Sequence, residues 1–386
     1  MKVTPFKVSI AQEKLDDLAA RLRNTRWAPE FAVPEWSRGV SGRYLRGLTD
    51  YWLNGYDWRA QEARINALPQ FIAEVDGIPI HYVHVKGKGP SPAPLVLNHG
   101  WPWTFMDFAK VVGPLSDPAA FGGDPADAFD VIVPSLPGFI FSGQSPQGDI
   151  GYTETARLWT KLMHGLGYER FGAHGGDAGA FVTARLGHAH AETMIGVHLA
   201  LPVLPGWDRG PIAVEAFSPE ERAMYEAQDF SGGLTTHLWV HTLEPQTLAW
   251  AMHDSPVGQA AWMLHRRRAW SDCGGDVERR FSKDELITSF ALYWLSESFV
   301  TAIAAYGASR YIDPMKLAHE RKPEIEAPTG FAVSPRELAH VPRSLAARHS
   351  NLRSWTIMPR GGHFAAAEEP ELLVADLRQF FRPLRG

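Results

Sequence analysis

The chain reads as an α/β protein: a mostly parallel sheet covered by helices, preceded by a helical extension and interrupted by a helical insertion. Three observations carry this reading. Short apolar runs alternate with stretches of helical periodicity over residues 71–199. The strand signal then disappears over 202–315 and returns near Ile325. A glycine-rich turn, Gly175-Gly-Asp-Ala-Gly179, joins one apolar run to one helical run.

Residues 1–70 are expected to form helices and loops packed on the body, with a structural role. Ser9-Ile-Ala-Gln12 has the pattern of a capping box, and Ile10, Leu15, Leu18 and Leu22 recur at helical spacing. Trp27, Trp36, Trp52 and Trp58 make this part aromatic. The first part of the core is 71–201. There, 71–75 and 80–85 flank Asp76-Gly77, a hairpin signal. Residues 95–97 form a short strand ending at Asn98-His-Gly-Trp-Pro102, and 129–133 another ending at Pro134-Ser-Leu-Pro-Gly138. A helix is expected over 153–166, with Ala156, Trp159, Leu162 and Met163 on one face, then strands leading to Gly175 and over 194–199. Residues 202–315 read as a helical cap, with runs at 256–270 and 283–306. The second part of the core, 316–386, has strand signals near Ile325 and at 355–358, then an amphipathic helix over 370–381. An insertion at this point sits over the C-terminal ends of the strands, where open α/β sheets hold their sites.

Composition bounds the function. A chain of 386 residues can bury a large core. Hydrophobic content of 45% and charged content of 21% are those of a soluble globular protein. A net charge of −5 gives no case for nucleic-acid or membrane partners. Fourteen tryptophans favour aromatic packing or an aromatic-lined pocket, and the single Cys273 excludes an intrachain disulfide and a cysteine metal cluster. With no signal-peptide core and no apolar stretch of membrane-spanning length, a cytoplasmic location is expected.

The chemistry centres on Phe171-Gly-Ala-His-Gly-Gly-Asp-Ala-Gly-Ala180, which has the strand, turn and helix of a nucleophile elbow with Asp177 where serine would sit. Glycines there let strand and helix approach closely around a strained residue. Taken alone, the stretch is equally a glycine-rich turn with an N-capping aspartate. An aspartate sets a distinct chemistry. A carboxylate attacking saturated carbon forms an alkyl ester, and activated water can hydrolyse it. A serine would form an ether with no such exit. Asp177 therefore points to epoxide opening or dehalogenation, and calls for a histidine base, an acid to orient it and two backbone N–H donors.

His363, in Pro359-Arg-Gly-Gly-His-Phe364 after the last strand, is the candidate base. Glu337, in Ser334-Pro-Arg-Glu337, is the candidate acid, because the order runs nucleophile, acid, histidine. Glu368 and Glu369 follow His363 and read as solvated residues at a helix start; the other fifteen histidines lack such a context. The backbone N–H groups of Ala178 and Trp101 are the candidate oxyanion donors, a cis Trp101–Pro102 bond being one way to turn the second inward.

Together with Thr25-Arg-Trp27, Tyr56-Asp-Trp-Arg59, Ser135-Leu-Pro-Gly-Phe139, Asp254-Ser-Pro-Val-Gly258 and Pro328-Thr-Gly-Phe331, these residues resemble the epoxide hydrolases of the α/β-hydrolase fold, microsomal-type branch. The resemblance covers nearly the whole chain. It implies an α/β-hydrolase core with a helical cap, Asp177 as nucleophile, Glu337 as orienting acid and His363 as base. It implies no metal and no organic cofactor, and a soluble bacterial-type relative without the branch's membrane anchor. It also implies two cap tyrosines as the acid for ring opening. Tyr306 matches the second; Tyr293 is an alternative whose Tyr-Trp setting reads as packing. The first falls on His237, whose protonated form could donate the same bond, with a pH dependence near neutrality. Tyr225, His241 or a water are the other candidates. Ala178 stands where Trp is common and Trp103 where Gly is usual, so Trp103, with His237 and Phe139, is expected at the substrate pocket.

Haloalkane dehalogenases share the aspartate and the fold but commonly hold the halide with a Trp directly after the nucleophile, which Ala178 cannot replace. A relative diverted to ring rearrangement or cyclisation, and a non-catalytic binding protein, are the remaining readings; the complete Asp177, Glu337 and His363 set argues against decay. The expected partner is a small epoxide, apolar or aromatic, with a homodimer left open as the assembly.

Overall fold

The computed structural model describes residues 1–145, 148–207, 210–228, 233–312 and 316–385. Its strands are β1 (Val3–Phe6), β2 (Gln70–Val75), β3 (Ile78–Val85), β4 (Ala93–Asn98), β5 (Phe129–Pro134), β6 (Phe171–Gly175), β7 (Met194–Leu199), β8 (Ile325–Val333) and β9 (Ser350–Ile357). They form one nine-stranded sheet in the order β1-β2-β3-β5-β4-β6-β7-β8-β9. The β1–β2, β2–β3 and β3–β5 pairs are antiparallel, and the remaining pairs are parallel.

Helices cover both faces, so every residue of β5 and β6 is buried and both read as unbroken buried runs. The N-terminal helices are α1 (Gln12–Arg23), α2 (Gly42–Asn54) and α3 (Trp58–Asn66); α4 (Ala109–Ser116), α5 (Tyr152–Gly165) and α6 (Ala178–Ala189) follow. Helix α6 packs on β4, β6, β7 and β8. Between β7 and β8 the described residues hold α7 (Pro219–Glu226), α8 (Thr236–Leu243), α9 (Pro245–Asp254), α10 (Pro256–Trp270), α11 (Lys283–Leu295) and α12 (Phe299–Gly307). The expected boundary at 315 lies outside the described residues. The chain closes with α13 (Arg343–His349), α14 (Ala365–Glu368) and α15 (Pro370–Phe381). Helix α15 buries Leu373, Val374, Leu377, Phe380 and Phe381, each worth about 1.5–3 kcal/mol relative to exposure.

The hairpin forms where Asp76-Gly77 predicts it: both residues take positive φ, 51° and 79°, as a two-residue turn requires. Three expectations are corrected. The capping box at Ser9 does not form. Helix α1 starts at Gln12 behind Ala11, and Ile10 N instead donates to Glu62 Oε1 at 2.8 Å. The N-terminal extension is not wholly helical, because β1 adds an edge strand, pairing Val3 with Ala73 and Phe6 with Gln70. The run over 283–306 is two helices bent by 84°. At the break Ser296 Oγ bonds the Leu292 carbonyl at 2.6 Å and Glu297 takes φ 58°, so the serine competes with the helix ladder. Among the described residues no single helix is long and apolar enough to cross a membrane.

Candidate active site

β6 ends at Gly175 and α6 begins at Ala178, leaving Gly176 and Asp177 to make the turn. Asp177 takes φ 49° and ψ −130°, a conformation that L residues avoid. Close approach on both sides demands glycine. A Cβ on Gly179 would lie 2.1 Å from the Asn98 carbonyl oxygen, and one on Gly100 would lie 2.1 Å from Asp177 Oδ1.

The Asp177 carboxylate is held from two directions. Trp101 N–H donates to Oδ1 at 2.8 Å, and Ala178 N–H also bonds the carboxylate. The Trp101–Pro102 bond is cis. On the other side His363 Nε2 lies 3.1 Å from Oδ2. His363 Nδ1 is 2.6 Å from Glu337 Oε1, which also accepts the Leu338 N–H at 2.6 Å. Glu337 follows β8 and His363 follows β9, and a parallel bridge between Arg336 and Gly362 ties the two loops together. His363 N–H donates to the Trp270 carbonyl at 2.9 Å, which joins this loop to α10.

Burial alone would lower the His363 pKa, but Glu337 and then Asp177 outweigh it and raise it to about 10. Burial alone would raise that of Asp177, yet His363 and the Trp101 and Ala178 N–H groups hold it below the usual carboxylate range. At neutral pH the pair is a carboxylate facing an imidazolium.

Above it stands a ring cluster. Tyr306 on α12 packs edge-on to His241 (4.9 Å between centroids), His237 (5.7 Å) and Trp101 (6.5 Å). Its hydroxyl is buried without a hydrogen-bond partner among the described residues. Burial and the Asp177 charge raise its pKa well above the ordinary value. His237 stacks on Trp101 at 5.6 Å, and His241 Nε2 accepts the Trp262 indole N–H at 3.0 Å. Burial, followed by neighbouring positive groups, lowers both imidazoles well below their usual range, so both are neutral at neutral pH. Trp103 and Phe139 are each 1% exposed. Trp103 lies edge-on to His363 at 5.6 Å, and Phe139 packs edge-on to His99 at 5.4 Å. Tyr293 donates to the Trp103 carbonyl at 2.7 Å, and Tyr225 stacks on Phe217 at 4.2 Å.

Glu368 and Glu369 are not solvated: they are 7% and 8% exposed. Glu368 accepts the Asp272 N–H at 2.7 Å and the Phe364 N–H at 2.9 Å, and burial pushes its pKa up to about 7. Glu369 pairs with Arg280 at 2.6 Å and Arg360 at 2.9 Å. Two neighbours of the site escape the sequence reading. Tyr152, first residue of α5, is buried, and burial and then the Asp177 charge raise its pKa; its only signal is a place at a helix start. Arg267 is buried inside α10, and its signal is a cation in a Trp-flanked helical run. Among the described residues no group of three or more His, Cys, Asp or Glu side chains converges as a metal site.

The chain as a whole is similar to known proteins. Residues 3–108 match the family described as epoxide hydrolase N terminus. A Stigmatella aurantiaca relative with a provisional epoxide hydrolase name is 39% identical, over 100% of this chain and 86% of its own. Epoxide hydrolase 1 of Oryctolagus cuniculus is 34% identical over 98% of this chain and 88% of its own. The chain belongs to the epoxide hydrolase family. The Aspergillus niger epoxide hydrolase superposes with a TM-score of 0.85 at 31% identity, covering 100% of this chain and 97% of that one. The sheet and helices described above are therefore the α/β-hydrolase fold of an epoxide hydrolase, as the sequence leads one to expect.

Proposed function

We propose that this epoxide hydrolase converts an epoxide to a vicinal diol through an ester on Asp177 that His363-activated water hydrolyses. The observation that carries the reading is the division of the carboxylate: Oδ1 is bonded by Trp101 N–H, while Oδ2 faces His363. Oδ2 attacks an epoxide carbon, the ring C–O bond breaks, and the electron pair goes to the ring oxygen. Tyr306 gives that oxygen a proton, with His237 as a second, neutral donor. Esterification removes one of the two charges that stabilise the imidazolium, so His363 gives up its proton, which restores the Tyr306 hydroxyl through solvent, and becomes a base. It then takes a proton from water, whose oxygen attacks Asp177 Cγ. The charge that develops on Oδ1 meets the Trp101 and Ala178 N–H groups. The Cγ–Oδ2 bond breaks, the remaining proton of the attacking water passes to the leaving oxygen, and Oδ2 departs in the diol while Asp177 returns as a carboxylate beside the His363 imidazolium.

Residues 202–315 act in this reading as the cap that brings Tyr306 and His237 over Asp177, and 1–70 as an extension packed on the body. Trp101, Trp270 and Phe299 around the ring cluster favour an apolar or aromatic epoxide. Ala178 after the nucleophile disfavours a dehalogenase. One turnover in ¹⁸O-water tests the mechanism: label is expected in the enzyme before it reaches product. Heavy oxygen in the first-turnover diol would mean that water attacks the epoxide directly.

A further inference from the structure

The loop that carries the Trp101 donor is gripped from the helical insertion by one buried cation. Arg267 on α10 has a side chain 3% exposed, and its partner Asp107 is 5% exposed. Arg267 Nη1 donates to Asp107 Oδ1 at 2.5 Å. Its Nη2 lies 3.0 Å from Asp107 Oδ2, 3.0 Å from the Pro102 carbonyl and 3.0 Å from Ser289 Oγ. Asp107 Oδ2 also accepts the Thr104 N–H at 2.7 Å. The guanidinium carbon sits 4.3 Å from the ring centre of Phe364, the residue after His363. A second strut, the Tyr293 hydroxyl, bonds the next carbonyl of the loop, that of Trp103, at 2.7 Å.

A buried ion pair is weak evidence of a stabilising role, since an apolar pair of the same volume often does as well. What an apolar pair lacks is direction. A planar fork bonded to Asp107 and the Pro102 carbonyl at once fixes the Pro102–Trp103 peptide, the second peptide after the one that carries the Trp101 N–H. It does so while its face packs on the base loop.

We propose that Arg267 is a positioning residue that holds the Trp101 N–H at the point where the oxyanion forms. Resting on the ester mechanism above, it serves hydrolysis of the alkyl-enzyme more than its formation. During alkylation the carboxylate loses charge, and the bond at Oδ1 weakens. During hydrolysis charge gathers on Oδ1, and the same bond strengthens. A displaced donor therefore slows the second step selectively. Since kcat/KM reports alkylation and kcat reports hydrolysis when release is slow, kcat and KM should fall together.

The test uses Arg267→Lys and Tyr293→Phe in the full chain, with styrene oxide as probe. Lysine keeps the charge beside Asp107 but lacks the fork. Phenylalanine keeps the ring and removes one bond. Single-turnover rates and quenched intact-protein mass separate the two steps. Hydrolysis is expected to slow about tenfold to hundredfold in Arg267→Lys, on the scale of a misplaced catalytic group. Tyr293→Phe should move the same way by less. Alkyl-enzyme then accumulates and KM drops with kcat. Equal slowing of both steps in the two variants, or no change in either, overturns the proposal. Absence of any adduct even in His363→Gln would instead remove the ester mechanism beneath it, so the two failures are distinguishable.

Discussion

His363 Nε2 lies 3.1 Å from Asp177 Oδ2, so the proposed base and the proposed nucleophile form an ion pair. In the proposed mechanism this contact keeps His363 from acting as a base until Asp177 is esterified. With Glu337 on one nitrogen and Asp177 on the other, the imidazole keeps its proton up to a pH of about 10. Asp177→Asn removes one charge in the way esterification would. The His363 pKa, read from imidazole resonances, is expected to fall clearly in that variant. An unchanged value would mean that Asp177 does not control the base.

The same pair sets a pH dependence of stability. The folded pKa of His363, about 10, is above its unfolded value of about 6.5. Its contribution is thus fully present below about pH 6.5 and is lost as pH rises through about 10. Melting temperatures across pH 6 to 10 should fall toward the alkaline end, and fall less in Asp177→Asn. Parallel curves for the two proteins would contradict this.

His363→Gln separates the two chemical steps. Only hydrolysis needs the base, so the variant should still form the ester and then stall. An adduct of enzyme plus substrate mass is expected in His363→Gln and not in Asp177→Ala. Its absence from both would sink the division of roles.

The sequence makes the core legible because central strands buried on both faces read as apolar runs, and because Asp177, Glu337 and His363 each follow a strand in a fixed chain order. What it hides depends on partners far along the chain. Strand β1 is exposed, carries Pro5 and becomes a strand only beside Ala73 to Gln70. The apolar run over 283–306 gives no sign of the bend, which lies in Glu297 and two serines. Glu368 reads as a surface charge and Arg267 draws no notice, because their partners, Asp272 N–H and Asp107, lie 96 and 160 residues away. Burial of a charge is a property of its surroundings, and a single sequence does not spell those out.

Ring opening should not follow an imidazole titration. The sequence alone leaves open an imidazolium at His237, with alkylation falling through about pH 6.5. Burial keeps that ring neutral, so alkylation should be flat from pH 6 to 9 with Tyr306 as main acid. Tyr306→Phe should slow alkylation by about 10²-fold or more, the scale of a lost general acid. A rate that falls steadily across this range would return the imidazolium to the mechanism.

Gly100→Ala tests the geometry from the opposite direction. A Cβ there would lie 2.1 Å from Asp177 Oδ1 and 2.6 Å from Cγ. Those atoms are not the loose end of a side chain, since Trp101 and Ala178 hold the carboxylate on one side and His363 on the other. Either the loop retreats and Trp101 loses Oδ1, or Asp177 turns and loses the angle of attack. Overpacking of this kind costs about 1–3 kcal/mol, which a sheet of this size should survive. The rate should suffer more, by about 10²-fold in alkylation or hydrolysis, because a shift of about 1 Å at the reacting atoms is enough for that loss. Gly47→Ala is the control: it sits inside α2 with nothing within 4 Å of its Cβ, and should leave turnover alone. Near-native turnover in Gly100→Ala would show that the loop and the carboxylate are not held as closely as their contact implies.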